Sequence, residues 1–172
     1  MNDTIQTLNN TQKMVVGIGD MKYSSANSNP ILITHALGSC VGVAAFDPVA
    51  KAGALLHFML PDSTTNIEKS EENPYMFANT GILKMFHHLN QMGCKKNRLI
   101  VKVAGGANIM DPRGVFDIGK RNALALKKIL WKHNILIQGK DIGGNIGRNM
   151  TLNLDINRVT IRYNGEQDEN II

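Results

Sequence analysis

A cysteine at position 40 and a histidine at position 57 are the residues in this chain whose types and spacing could do covalent chemistry. Cys40 follows the turn-forming pair Gly38 and Ser39. His57 lies near the end of the next apolar run, within THALGSCVGVAAFDPVAKAGALLHFMLP from Thr34 to Pro61. A thiol is mostly protonated at neutral pH, so a nucleophilic cysteine needs a partner to take its proton, commonly an imidazole. The same imidazole can hand a proton to a departing amine. Backbone amides around a tight turn at Gly38 can point at a developing oxyanion. A third group usually orients the imidazole, and the Thr34 hydroxyl could accept the other ring hydrogen. The competing readings are a small buried structural thiol at Cys40 and a core histidine satisfied by backbone at His57.

The elements that would position these residues follow from local pattern. Cys40 to Phe46 and Gly53 to Leu60 are strand-like runs joined by DPVAKA, whose Asp47 and Pro48 form turns. An antiparallel hairpin centred near Val49 and Ala50 pairs residues whose numbers sum to about 99. Cys40 then faces Met59 and His57 faces Gly42, with Cys40 and His57 on one side of the sheet, roughly 7–8 Å apart at the backbone. An even sum would put them on opposite faces. His35, next to Thr34, is a competing imidazole, but neighbouring strand residues point to opposite faces.

Elsewhere, Met14 to Ile18 and Ile31 to His35 read as short strands, and Met21 to Pro30 and Asp62 to Asn73 as polar loops. Pro74 opens a helix whose apolar stripe, Ala78, Ile82, Met85, Leu89 and Met92, ends at Gly93; His87 and His88 lie off that stripe. Leu99 to Val103 is a strand running into the turn at Ala104 to Asn108, and Asp111 to Phe116 is a loop. A second helix runs from Asp117 or Gly119 to about His133, with Leu126, Ile129 and Leu130 inward. Ile135 to Gln138 reads as a strand and Asp141 to Asn149 as a glycine-rich turn. Met150 to Ile156 and Arg158 to Tyr163 form a closing hairpin around Asn157. Two main helices among many short strands argue for an α+β fold, a layered α/β/β sandwich with mostly antiparallel sheets. The whole of 1–172 reads as one domain with loose ends at 1–13 and 165–172.

Composition bounds the function. With 43% apolar and 19% charged residues the chain is an ordinary globular one. No apolar stretch approaches the roughly 18 residues of a membrane span, and the polar N-terminus lacks signal-peptide features, so a cytoplasmic protein is expected. Two cysteines, Cys40 and Cys94, are too few for a disulfide framework; Cys94, at a helix end, reads as inert. A zinc site would need four ligands, and no paired spacing supplies them. From Lys95 to Arg148 twelve Lys and Arg face three acids, which suggests an acidic partner or simply a solvated basic face. Aromatic residues are too few, and too little interleaved with the basic ones, for a nucleic-acid surface. Gly105, Gly106, Gly143 and Gly144 match no phosphate-binding fingerprint.

The blocks ALGSCVGVAAFD, GALLHFMLP, KVAGGANIM, IGKRN and DIGGNIGR, in that order, together resemble the CheD family of chemoreceptor glutamine deamidases. The resemblance implies a layered α/β/β fold related to bacterial deamidating toxins. It implies Cys40 as nucleophile, His57 as general acid/base and Thr34 as the third catalytic residue, with neither cofactor nor metal. Cys40 would attack the side-chain amide of a receptor glutamine and release ammonia, and water would convert the resulting thioester to glutamate. Gly38 and Ser39 would form the oxyanion turn, Gly105 and Gly106 would shape a turn beside the site, and Arg148 would lie on its substrate side. The partners implied are the acidic cytoplasmic helices of chemoreceptors and a CheC-type phosphatase. A rival reading is an adaptor that binds and regulates CheC with little or no catalysis.

Overall fold

The structure, a computed structural model, describes residues 13–28, 30–109 and 116–172. All of the expected loose leader 1–13 except Lys13, which opens the first strand, and most of the loop 111–116 lie outside them. In chain order the strands are β1 (Lys13–Val16), β2 (Asp20–Ser25), β3 (Ile31–Leu37), β4 (Val41–Asp47) and β5 (Ala52–Phe58). Helices α1 (Ile67–Glu72) and α2 (Ala78–Gln91), strand β6 (Ile100–Gly105) and helix α3 (Ile118–Lys132) follow. The chain closes with β7 (Gly139–Ile142), β8 (Arg148–Asn153), β9 (Arg158–Tyr163) and β10 (Asn170–Ile171).

Two five-stranded sheets and the two longer helices form three layers, an α+β fold. One sheet runs β2-β5-β4-β6-β7 and the other β1-β3-β8-β9-β10; only β6–β7 and β1–β3 pair in parallel. All fourteen residues of β4 and β5 are buried, as expected of strands covered on both faces. Val41, Val43, Ala45, Leu56 and Phe58 pack with Ile82, Met85, Leu89, Leu126 and Leu130 of α2 and α3. Ala44, Phe46 and Leu55, on the opposite face, pack with Leu32, Leu37, Met150, Leu152 and Ile161 of the second sheet. The middle sheet therefore serves two cores, and the second core holds the cysteine.

The β4–β5 register is Val41↔Phe58 and Gly42↔His57, the odd sum of 99 expected from the sequence. Its turn is fixed by Asp47, which is fully buried. Oδ1 accepts from the backbone N–H of Val49 (2.9 Å) and Ala50 (3.1 Å), and Oδ2 from the N–H of Lys95 (2.9 Å) and from Arg98 Nη2 (2.7 Å). Burial alone would raise the pKa of Asp47, but Arg98 and these amides outweigh it and hold the carboxyl well below the usual carboxylate range.

Several expected boundaries move. Asp20–Ser25, read as part of a loop, is an edge strand paired with β5. An edge tolerates Lys and Ser because only one flank is paired, and Met21 alone of its residues is buried. The polar loop before Pro74 contains α1, capped by Asn66 accepting from Lys69 N–H. Pro74 opens only a single 3₁₀ turn, and α2 starts after the extended residue Phe77. Ile135–Gln138 is not a strand; the strand follows it at Gly139–Ile142. Gln138 takes the ladder's place with its side chain, accepting from Val101 N–H (2.7 Å) and donating to Leu99 O (3.1 Å). The expected frayed tail ends in β10, paired with Ile161 and Thr160.

Removing one partner of a buried, fully bonded charge typically costs about 3–5 kcal/mol. Asp47→Ala should lose that much in urea unfolding at neutral pH. The deficit should shrink as pH falls and the native carboxylate gives up its charge; a loss under about 1 kcal/mol would contradict a structural role for this carboxylate.

Candidate functional site

Three connected features bring the candidate residues together. Thr34 stands on β3 in one sheet, His57 on β5 in the other, and Cys40 at the crossing between sheets, just before β4. Because Gly42 faces His57 and Cys40 precedes Gly42 by two, the thiol and imidazole share the face turned toward the second sheet. Thr34 is fully buried, His57 1% exposed and Cys40 9% exposed.

A bulge makes this possible. The β3–β8 pairing breaks between Thr34 and Leu37, where Ala36 adopts the left-handed conformation at φ 56°. Thr34 and Leu37 consequently both point inward although they stand three positions apart, which a regular strand forbids. His35 is exposed, so the competing imidazole is turned away.

The hydrogen bonds fix the tautomer of His57. Thr34 Oγ1 donates its one hydrogen to Val16 O at 2.7 Å, because a carbonyl can only accept. The same oxygen, 2.8 Å from His57 Nδ1, must then accept Nδ1–H. Nε2 is left with its lone pair, and it has no hydrogen-bond partner among the described residues. Burial lowers the His57 pKa to about 4. Burial also pushes the Cys40 thiol up, with its own backbone N–H working in the opposite direction. The resting pair is a neutral thiol and a neutral imidazole base.

The other cysteine, Cys94, is also buried but lies away from the imidazole. Its thiol lies on the helix side of the middle sheet, 3.8 Å from Ala52 O. Burial and the negative charge of Asp47 push it up to about 11.

The glycine turns clamp the cysteine loop. Gly106 N–H donates to Cys40 O and Ala107 N–H to Gly38 O, both at 2.8 Å. Gly105 sits at φ 112°, where a Cβ would stand 2.2 Å from Cys40 O, so no larger residue lets the strands approach this closely. Cys40 opens onto a depression lined by Ala36, Gly38, Ser39, Ile109, Gly147 and Asn164.

Arg148, expected on the substrate side, is instead buried at 2% exposure. Nη1 pairs with the Asp141 carboxylate and donates to Asp141 O, and Nη2 donates to the carbonyls of Gly143 and Ile146. Its guanidinium lies 5.6 Å from the Tyr163 ring, whose hydroxyl donates to Asp141 (2.7 Å). The arginine builds the loop that carries Gly147 to the mouth. Asn122 was missed by the sequence reading. Its amide donates to Ser39 O (2.9 Å) and Met59 O (2.8 Å). The signal was a polar residue one turn before Leu126 on an inward helical stripe.

The family model described as CheD chemotactic sensory transduction matches residues 59–163. A protein of Solibacter usitatus named probable chemoreceptor glutamine deamidase CheD is 47% identical over 158 residues, covering 92% of this chain and 93% of its own length. The chain belongs to the CheD family. The CheD proteins it resembles also include one from Clostridium kluyveri of the same name, 43% identical over 90% of this chain and 94% of its own length. One from Thermotoga maritima, named chemoreceptor glutamine deamidase CheD, is 39% identical over 91% of this chain and 97% of its own. The CheD model's match begins just after His57, whereas an aligned span of 158 residues in a chain of 172 necessarily contains Thr34, Cys40 and His57.

Buried neutral, His57 makes stability depend on pH in a defined window. Between the ordinary histidine pKa and about 4, the unfolded chain binds a proton that folded His57 refuses. The stability present above that window is lost as pH falls through it. At about 1.4 kcal/mol per pH unit, the part specific to His57 is on the order of 3 kcal/mol. Urea unfolding from neutral pH to about pH 4 should therefore show a shallower decline for His57→Leu than for wild type, whereas parallel declines would contradict a buried neutral imidazole.

Proposed function

We propose that this chain is a chemoreceptor glutamine deamidase, with Cys40 as nucleophile, His57 as general base and acid, and Thr34 as the residue that orients the imidazole. The observation that carries the reading is the Val16–Thr34–His57 chain of hydrogen bonds, which leaves Nε2 a free base on the face that also presents Cys40. The names of the CheD relatives support the substrate, a receptor glutamine, and a protein acting on the cytoplasmic helices of receptors would work in the cytoplasm. No helix of the described residues is long and apolar enough to cross a membrane.

As the Cys40 sulfur attacks the amide carbon, its proton passes to His57 Nε2 and the carbonyl oxygen becomes an oxyanion. Gly38, expected to supply an oxyanion amide, instead donates its N–H to Ala36 O (2.9 Å), so the backbone amides of Ser39 and Cys40 are the candidate donors to that oxyanion. The Nε2–H proton then goes to the amide nitrogen, the C–N bond breaks and ammonia leaves a thioester. A water loses a proton to Nε2 while attacking the same carbon. Collapse breaks the C–S bond, the thiol recovers its proton, and glutamate remains. The Nδ1–H bond to Thr34 strengthens whenever the ring is cationic, because the threonine oxygen faces a fuller positive charge.

A CheC-type phosphatase is the second partner of this reading. Exposed Ile109, Phe116 and Ile146 near the Cys40 depression favour a protein surface as the thing that binds there. In the adaptor alternative, binding CheC is the main work and deamidation is slow.

Incubation with receptor cytoplasmic fragments, followed by mass spectrometry, should show glutamine converted to glutamate by the wild type and not by Cys40→Ala. His57→Ala should lose about 10²–10⁴ in rate, and Thr34→Val less than that. Cys40 should alkylate faster than Cys94 at neutral pH, and faster than it does in His57→Ala. A wild type that binds CheC tightly yet converts no receptor would make the chain an adaptor.

A further inference from the structure

Asn122 is fully buried on the inward face of α3, beside Ala123, Leu126 and Leu130. A buried amide is costly unless it is bonded, and both of its hydrogens leave its own helix. They go to Ser39 O, the carbonyl just before the nucleophile, and to Met59 O, two residues past the base. Carbonyls only accept, so the orientation of this side chain is fixed. One planar group thereby spans the cysteine loop and the end of the histidine strand.

Both spanned segments are held on their other sides. Met59 N–H donates to Met76 O (2.9 Å), while Gly106 and Ala107 hold the carbonyls of Cys40 and Gly38. The start of the helix packs directly on the glycine turn: a Cβ at Gly119 would stand 2.6 Å from the carbonyl oxygens of both Gly106 and Ala107, so only glycine allows this approach. Asn122 Oδ1 has no hydrogen-bond partner among the described residues. An apolar side chain of similar size would fill the same space but give neither carbonyl a donor, so packing alone does not account for the residue. The C=O and N–H of one trans peptide point in opposite directions, so seating the Ser39 carbonyl on Asn122 turns the Cys40 N–H away from α3.

We propose that Asn122 is a positioning residue for the reaction at Cys40: by holding the carbonyls of Ser39 and Met59 it sets the spacing of thiol and imidazole and aims the Cys40 N–H. This rests on the reading of Cys40 and His57 as nucleophile and base. It acts through the backbone and touches no reacting atom.

The test compares Asn122→Ala and Asn122→Ser with Leu126→Ala, a truncation on the same helix face that touches neither carbonyl. For each folded variant, kcat and KM are measured on a receptor cytoplasmic fragment. The pH dependence of Cys40 alkylation by iodoacetamide is followed by peptide mass spectrometry. Misplacing a catalytic group typically costs about a hundredfold, so Asn122→Ala should lose about that in kcat with KM within about twofold. Its Cys40 alkylation profile should move to higher pH, while Leu126→Ala loses stability and keeps the wild-type profile. Asn122→Ser, with one donor, should fall between. Folded Asn122 variants with wild-type kcat and alkylation would overturn the proposal. So would a Leu126→Ala profile shifted as far as theirs, or failure of both Asn122 variants to fold, which would make the residue structural. His57→Ala in parallel separates the two readings. If it leaves Cys40 alkylation unchanged, the catalytic pair itself fails; if it slows Cys40 and the Asn122 variants do not, only the positioning role fails.

Discussion

The hydrogen bond from His57 Nδ1 to Thr34 Oγ1, 2.8 Å long, joins the two sheets at the reactive end of the domain, and the rest of the site depends on it. It is possible only because Thr34 has already given its hydrogen to Val16, its neighbour in the parallel β1–β3 pair. Three strands from two sheets thus decide which nitrogen of one imidazole is free. Sliding either sheet by one residue would replace Thr34 or His57 with a side chain of the opposite face. The two apolar cores on either side of the middle sheet resist that slip. Core packing and ring tautomer are therefore one constraint seen at two scales.

The proposed nucleophile answers to a second set of bonds, made by backbone. Cys40 belongs to no strand; it sits where the chain leaves β3 for β4. Such a crossing would be mobile if its carbonyls faced water. Here Gly38 O and Cys40 O accept from the Gly106 turn and Ser39 O from Asn122. Arg148 does the corresponding work for the opposite wall, gathering the carbonyls of Asp141, Gly143 and Ile146 so that Gly147 lines the mouth. Backbone-directed side chains hold a loop with the precision usually found in a strand.

This division explains what the sequence disclosed. The β4–β5 hairpin was legible because continuous apolar runs and an Asp-Pro turn leave few registers, and its odd sum put Cys40 and His57 on one face. The layers followed from the periods of α2 and α3 and the hairpins. Asp20–Ser25 was hidden because an edge strand needs no apolar alternation, and β7 because Gln138 imitates a strand with its side chain. At the site, a cysteine and histidine announce chemistry by type. The bulge at Ala36, the tie from Asn122 and the burial of Arg148 depend on where carbonyls lie, which residue types do not encode. Arg148, expected on the substrate side, has its charge answered by Asp141 within the fold.

Burial works against both members of the pair, raising the thiol and lowering the imidazole, so an ion pair is not the resting state. In the proposed reaction the proton transfer from thiol to imidazole therefore belongs to the moment of attack, not to the resting site. A base of pKa about 4 is weak. A buried imidazole without an anionic neighbour is a poor proton acceptor until something negative forms beside it. The oxyanion and the thiolate of the attacking sulfur are such charges, and the Thr34 oxygen stabilises the imidazolium from its far side. The neutral resting pair has a structural consequence as well. A buried ion pair would demand solvent or further partners at Cys40, whereas a neutral thiol and imidazole need none while buried.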